Sequence, residues 1–449
     1  MSYLPICILM FSIVLLLFIV LKLKIHAFLS LLIVSVFLGI ATGMPMSSIL
    51  NSMTAGMSST LGFVATVVGI GAIFGQVLEA SGGAESLARF LLVRFGRDKA
   101  PYSLAITGFL VAIPVFLDVG FIILAPVLYA LSKDTKKSLL CYAIPLLAGL
   151  AVTHAFIPPT PGPVAVAEII NVDLGWLIFF GFIIGIPVTL IAGPLYGKYI
   201  GNKMHVDVPD IFKEPDEMTV KKLPSFWLIA GIIVIPLALI VSNTVSTVWA
   251  KENGMESVFW VQLLTFLGHP FIALLIATMI SIYVIGIRRG FTPSSILDVS
   301  TKALAPAGLI ILITGAGGVF KQLLIDSGIG VALAESLSGS VLPPIVLAYL
   351  LALIVRVTQG SATVAMITSA GIMSPLLEAY TLSEPHKALI VIAIASGATA
   401  LSHVNDSGFW LVGKYLGMNE KQTLRSWTVM ETIISVAGFS LSLGLSFFF

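Results

Sequence analysis

Much of this 449-residue chain is written twice. HAFLSLLI at 26–33 returns as HPFIALLI at 269–276, and SSIL at 47–50 returns as SSIL at 294–297. GIGAIFGQVLEASG at 69–82 returns as GAGGVFKQLLIDSG at 315–328, and His154 is matched by His403 in the same order. Every block comes back about 245 residues later. Blocks that keep both order and offset mark a duplication, so the fold has to be built from two copies of one unit. The copies are 1–200 and 225–449, joined by a polar linker at 201–224.

Each copy is suited to lipid. Hydrophobic residues make up 58% of the chain and charged ones 10%, against about 25% charged in soluble domains. Apolar runs of spanning length lie near 4–21, 26–43, 60–79, 138–157, 174–196, 225–247, 269–286, 304–325, 388–402 and 425–447. The first run has no basic residue before it and no small-residue cleavage site, so it reads as a retained span and not a signal peptide. Cys7 and Cys141 lie inside apolar runs and offer neither a disulfide framework nor a metal site. The net charge of +2 comes from basic residues scattered in loops, which gives nucleic acid nothing to bind. No HExxH, GxSxG or Cys/His cluster is present, so the chain reads as no enzyme, with no cofactor and no metal. The glycine runs at 69–75 and 315–318 lack the strand and Gly-Lys-Ser of a phosphate loop and read as helix-packing surfaces.

Two apolar stretches are the wrong length for spans. Residues 101–132 have basic flanks at both ends and are too short for two crossings of about 20 residues plus a turn. They read as a re-entrant hairpin with its tip at IPVFLDVG (113–120), and 342–378 repeats the design with its tip at RVTQGSAT (356–363). Starting outside, the chain puts all of its 24 Lys and Arg on the cytoplasmic side or its edge except Lys251, Lys321, Arg356 and Lys387. Five spans per copy is an odd number, so the second copy is inverted and both termini lie outside. The expected fold is an all-α polytopic membrane protein of two inverted repeats, each with five transmembrane spans, one re-entrant hairpin and a broken helix.

The breaks fall at THAFIPPTPGP (153–163), where prolines forbid continuous helix, and at SHVNDSG (402–408). Unpaired backbone at membrane depth is tolerated only against protein or a polar cavity, so two tips and two breaks are expected to converge near the midplane. Helix N-termini there suit a carboxylate. Duplicated transporters place their substrate in such a position. Arg356, with a planar fork made for carboxylates, heads the candidate substrate contacts, followed by Gly360, Ser361 and Thr363 at the second tip. Thr160, Gly162 and His154 are candidates at the first break, and His403 and Asn405 at the second. Burial disfavours a carboxylate's charge, which makes Asp118 and Asp406 the candidate proton carriers; Asp118 is equally readable as a fixed partner for Arg356.

VTHAFIPPTPGP (152–163), GAGGVFKQ (315–322), RVTQGSATVA (356–365) and SHVNDSGFW (402–410) resemble the signature stretches of the gluconate:proton symporter (gluconate permease) family, within the ion transporter superfamily. The likeness runs from the first span to WTVMETIISVAG (427–438). Asp118 stands where gluconate permeases often have glutamate. The resemblance implies import of gluconate or a related sugar acid by proton symport across the bacterial inner membrane, by a homodimer moving in elevator fashion. Sodium is the alternative coupling ion. A permease for D-serine or a short hydroxy acid is the alternative within transport, and a passive channel is the alternative outside it.

Overall fold

The structure is a computed structural model that describes residues 4–209, 223–329, 343–378, 380, 382–404 and 406–449, and among these all regular structure is helical. The expected site residue Asn405 lies outside the described residues. In the first half the helices are α1 (Leu4–Leu21), α2 (Ala27–Ala41), α3 (Met46–Ala80), α4 (Gly83–Phe95), α5 (Ala100–Val111), α6 (Leu117–Thr135), α7 (Leu140–Phe156), α8 (Pro161–Ile170) and α9 (Leu174–Lys203). The second half contains α10 (Phe226–Asn253), α11 (Phe259–Leu267), α12 (Pro270–Arg289), α13 (Pro293–Asp326), α14 (Pro344–Gln359), α15 (Ala362–Glu378), α16 (Glu384–Thr399), α17 (Ser407–Tyr415) and α18 (Glu420–Ser446).

The order recurs. Helices α1, α2 and α3 are answered by α10, α12 and α13, and the hairpin α5–α6 by α14–α15. The interrupted pair α7–α8 is answered by α16–α17, and α9 by α18. Two of the echoed sequence blocks hold equivalent positions in each half. His26 and His269 cap α2 and α12, each accepting at Nδ1 from the amide two residues on, Phe28 at 3.3 Å and Phe271 at 3.4 Å. Both SSIL blocks fall in the opening turns of the long helices α3 and α13.

These two helices run for 35 and 34 residues, about 50 Å at 1.5 Å per residue. A hydrocarbon core of about 30 Å would require them to tilt strongly. The sequence predicts spans only at 60–79 and 304–325. Serine, threonine and asparagine lower the hydropathy of the earlier turns without interrupting the backbone, so the helices begin well before the apolar runs. Two glycines, one from each helix, let them cross closely. A Cβ on Gly56 would strike the Gly318 carbonyl, and one on Gly318 would strike Thr60 Oγ1, so the backbones of α3 and α13 meet directly.

Among the described residues seven stretches are long and apolar enough to cross a membrane: Met46–Ala80, Leu140–Ile170, Leu174–Lys203, Phe226–Asn253, Pro270–Arg289, Pro293–Asp326 and Glu420–Ser446. They coincide with seven of the ten expected spans; α1, α2 and the interrupted α16–α17 fall outside that set. The hairpin arm α5 has 12 residues and α14 has 16, too few for a full crossing. Arm α5 lies backbone-to-backbone on α7, where a Cβ on Gly108 would meet the Leu146 carbonyl. Its counterpart α14 meets α16 in the same way, at Gly397 against the Tyr349 carbonyl. Helix α4, in the charged 81–100 stretch, buries Ala84, Leu87, Ala88 and Leu91 along one stripe. Its other face carries an ion pair between the exposed Arg89 and the half-buried Glu85 at 2.8 Å.

Candidate functional site

Each interruption follows from local chemistry. Helix α14 ends where Gly360 adopts φ +87°, a left-handed conformation that side chains resist, and α15 starts two residues later. In the first hairpin α5 ends at Val111 and α6 starts at Leu117, which puts Asp118 in the first turn of α6. The proline-rich break separates Phe156 from Pro161, and the second break separates Thr399 from Ser407.

All four interruptions line one cavity of about 360 Å³, within the roughly 300–1,000 Å³ of small-molecule sites. Leu117 and Asp118 come from the start of α6, Gly162 from α8, Ala362 and Thr363 from α15, and Ser407 and Gly408 from α17. Four helix N-termini therefore face the same space, and the first amides of a helix have no acceptor within it. Arg356, Gln359, Gly360 and Ser361 close the cavity from the second tip. His154 lines it from α7, and Trp427 and Glu431 from α18. A larger cavity of about 660 Å³ sits among α10, α11 and α12. It brings together no helix interruptions.

Arg356 is 2% exposed and its fork is committed. Nη2 donates to Asp406 Oδ2 at 2.5 Å, and Nη1 donates to the Gly360 carbonyl. Asp406 also accepts from Ser402 Oγ at 2.5 Å and caps α17 by accepting from the Gly408 amide at 3.0 Å. Ser402 Oγ in turn accepts from Trp427 Nε1 at 2.7 Å, and Thr428 Oγ1 donates to the Ser402 carbonyl. One network thus ties the second tip, the second break and α18. The partner of Arg356 is Asp406, where the sequence suggests Asp118. Asp118 is exposed, at the surface of the cavity.

Of the other expected residues, His154, Gly162, Gly360, Ser361 and Thr363 line the cavity. Thr160 does not; it is buried beside the first break, its hydroxyl donating to the Ile157 carbonyl at 2.6 Å. His403 lies outside as well, with Nδ1 3.0 Å from the Leu401 carbonyl. Among the described residues no group of three or more His, Cys, Asp or Glu is placed to hold a metal ion.

A family model described as GntP family permease matches residues 4–448. The chain belongs to the GntP permease family. It is similar to the low-affinity gluconate transporter of Escherichia coli K12, 41% identical with 95% of each chain covered. It is also similar to the gluconate permease of Bacillus subtilis, 36% identical over 98% of this chain and 99% of that one. The Gnt-II system L-idonate transporter of Escherichia coli K12 is likewise 36% identical, with 97% of each chain covered. Among solved structures, the Alcanivorax borkumensis YdaH transporter shares the fold, with a TM-score of 0.61 at 15% identity over 89% of this chain and 88% of that one.

This GntP family permease is therefore a multi-pass membrane transporter and not an enzyme. Its cavity holds one acid that the sequence reading passes over. Glu431 is 4% exposed in the middle of the last helix, and its Oε1 has no hydrogen-bond partner among the described residues. No proline or glycine announces the position. The available signal is a lone acid within an apolar span.

Proposed function

We propose that this permease imports a gluconate-type sugar acid by proton symport across the bacterial inner membrane. The observation that carries the reading is the charge inventory of the cavity: one cation, Arg356, faces three carboxyl groups, Asp118, Asp406 and Glu431. Helix N-termini favour an anion at the same place. An anionic substrate adds a fourth acid to a site with one arginine, and it can be held only if protons neutralise part of that set. Substrate and proton then bind together, and linkage makes the preference reciprocal.

The carboxylate of the substrate sits against the N-terminus of α15, at the amides of Ala362 and Thr363 with the hydroxyls of Ser361 and Thr363. Arg356 holds the Gly360 carbonyl and supplies its positive field from behind. Gln359 and His154 offer polar atoms to the sugar hydroxyls. The two halves, 1–200 and 225–449, are inverted copies about the linker 201–224. The hairpins and interrupted helices move as one unit against a dimeric scaffold that contains α3 and α13. The relatives whose names specify gluconate and L-idonate support an aldonic acid over D-serine or a short hydroxy acid.

Purified protein in liposomes, given labelled gluconate and an inward proton gradient, should accumulate it above equilibration and lose that accumulation with an uncoupler. L-idonate should compete more strongly than D-serine or lactate. Downhill equilibration alone would identify a passive channel. Stronger competition by D-serine would reassign the substrate.

A further inference from the structure

We infer that Glu431 is the side chain that carries the coupled proton, a reading that rests on the symport proposed above. Three carboxyl groups line the cavity, and their surroundings differ. Asp118 is exposed on the cavity wall. Asp406 receives three donors, from Arg356 Nη2, Ser402 Oγ and the Gly408 amide, which occupy both of its oxygens. Glu431 is secluded at 4% exposure, with Oε1 unpartnered among the described residues. A carboxylate oxygen buried without a donor makes the charged form costly to keep, and protonation relieves that cost.

The groups that face Glu431 across the cavity are Arg356 from α14, Asp406 from the second break, Asp118 from α6 and His154 from α7. Arg356 is the only cation among them. Both of its Nη atoms are already engaged, by Asp406 and by the Gly360 carbonyl. Its Nε, like Glu431 Oε1, has no partner among the described residues. These two unsatisfied groups define the cycle. With substrate bound, Glu431 is protonated and leaves the field of Arg356 and the helix N-termini to the substrate carboxylate. After substrate leaves, the Glu431 O–H gives its proton to water, and the new carboxylate turns to Arg356 Nε for the return. One proton is taken up on one side and released on the other, with each anion.

The test uses full-length protein in liposomes and the variants Glu431→Gln and Glu431→Asp. Gluconate–gluconate exchange needs no net proton movement; accumulation under a proton gradient does. The Gln variant, which mimics the protonated acid, should keep exchange, lose its dependence on pH, and fail to raise internal gluconate above equilibration. The Asp variant should restore accumulation. A Gln variant that still concentrates gluconate overturns the assignment and passes it to Asp118. Loss of both exchange and accumulation in Gln and Asp alike overturns it in favour of a structural role. Wild-type protein that never accumulates gluconate overturns the symport reading itself, and the assignment with it.

Discussion

Arg356 organises the second tip more than it reaches into the cavity, because one side chain holds both the Gly360 carbonyl and Asp406. Lysine keeps the charge and cannot hold both partners with one compact ammonium. Arg356→Lys should therefore fold and reach the membrane while the KM for gluconate rises about 10- to 100-fold, the loss of one charged hydrogen bond worth about 1.5–3 kcal/mol. Arg356→Ala leaves the half-buried Asp406 without its cation and should also unfold at lower temperature in detergent. Unchanged KM in Arg356→Lys would refute the role. Asp118 is by contrast an exposed acid lining the cavity, and under the proposed function its charge opposes that of the substrate. Asp118→Asn should lower the KM by up to about fivefold at low salt, since exposed charge interactions are worth up to about 1 kcal/mol. Arg356 and Asp406 were legible because charge and helix interruption coincide at 356–363 and 402–408. Glu431 was not, because α18 runs through it unbroken and its exposure to the cavity depends on contacts made across the whole fold.

At the scale of elements, proline and glycine carried most of what could be read. The breaks at 153–163 and 402–408 and both hairpin tips lie where these residues or a polar cluster remove helical hydrogen bonds. The starts of α3 and α13 were hidden because hydropathy reports lipid exposure and not helicity. Helix α4 was hidden because its buried stripe is only 13 residues long and flanked by charge. Packing between elements supplies a sharper test. Gly75 of α3 lies against the first tip, where a Cβ would collide with the Pro114 carbonyl. Gly231 of α10 faces open space. Replacing a mid-helix glycine with alanine normally stabilises by about 0.5–1 kcal/mol, so Gly231→Ala should be neutral or slightly stabilising. Gly75→Ala has the same propensity gain and should nevertheless lower the melting temperature and slow uptake, because backbone has to give way. Equal behaviour of the two variants would show that the tip is not seated on α3.

At the scale of the whole molecule, the echoed blocks sit in equivalent helices and touch different things. Gly71 and Gly75 of α3 meet the first break at Pro159 and the first tip at Pro114. Their counterparts in α13, Gly317 and Lys321, meet neither the second break nor the second tip. Gly317 packs on Ile367 of α15, and Lys321 Nζ donates to the Ile169 carbonyl at 2.6 Å. Ser374 Oγ donates to the same carbonyl at 2.8 Å. If the halves are the inverted copies proposed above, the hairpin unit is displaced along the scaffold toward one end of its travel. The displacement has a size: Ile367 lies seven residues beyond Gly360 in sequence, about 10 Å of helix. In the opposite state Lys321 should face the second tip, as Gly75 faces the first here. With Cys7 and Cys141 replaced, cysteines at Ala72 and Phe116, which border one small void in this structure, should cross-link with a short reagent and stop uptake reversibly. A pair at Lys321 and Ser361 should cross-link only after the unit has moved, and each cross-link should prevent the other. Full uptake with the first pair joined would rule out a moving unit of this composition. Failure of the second pair to form during turnover would rule out the 10 Å stroke.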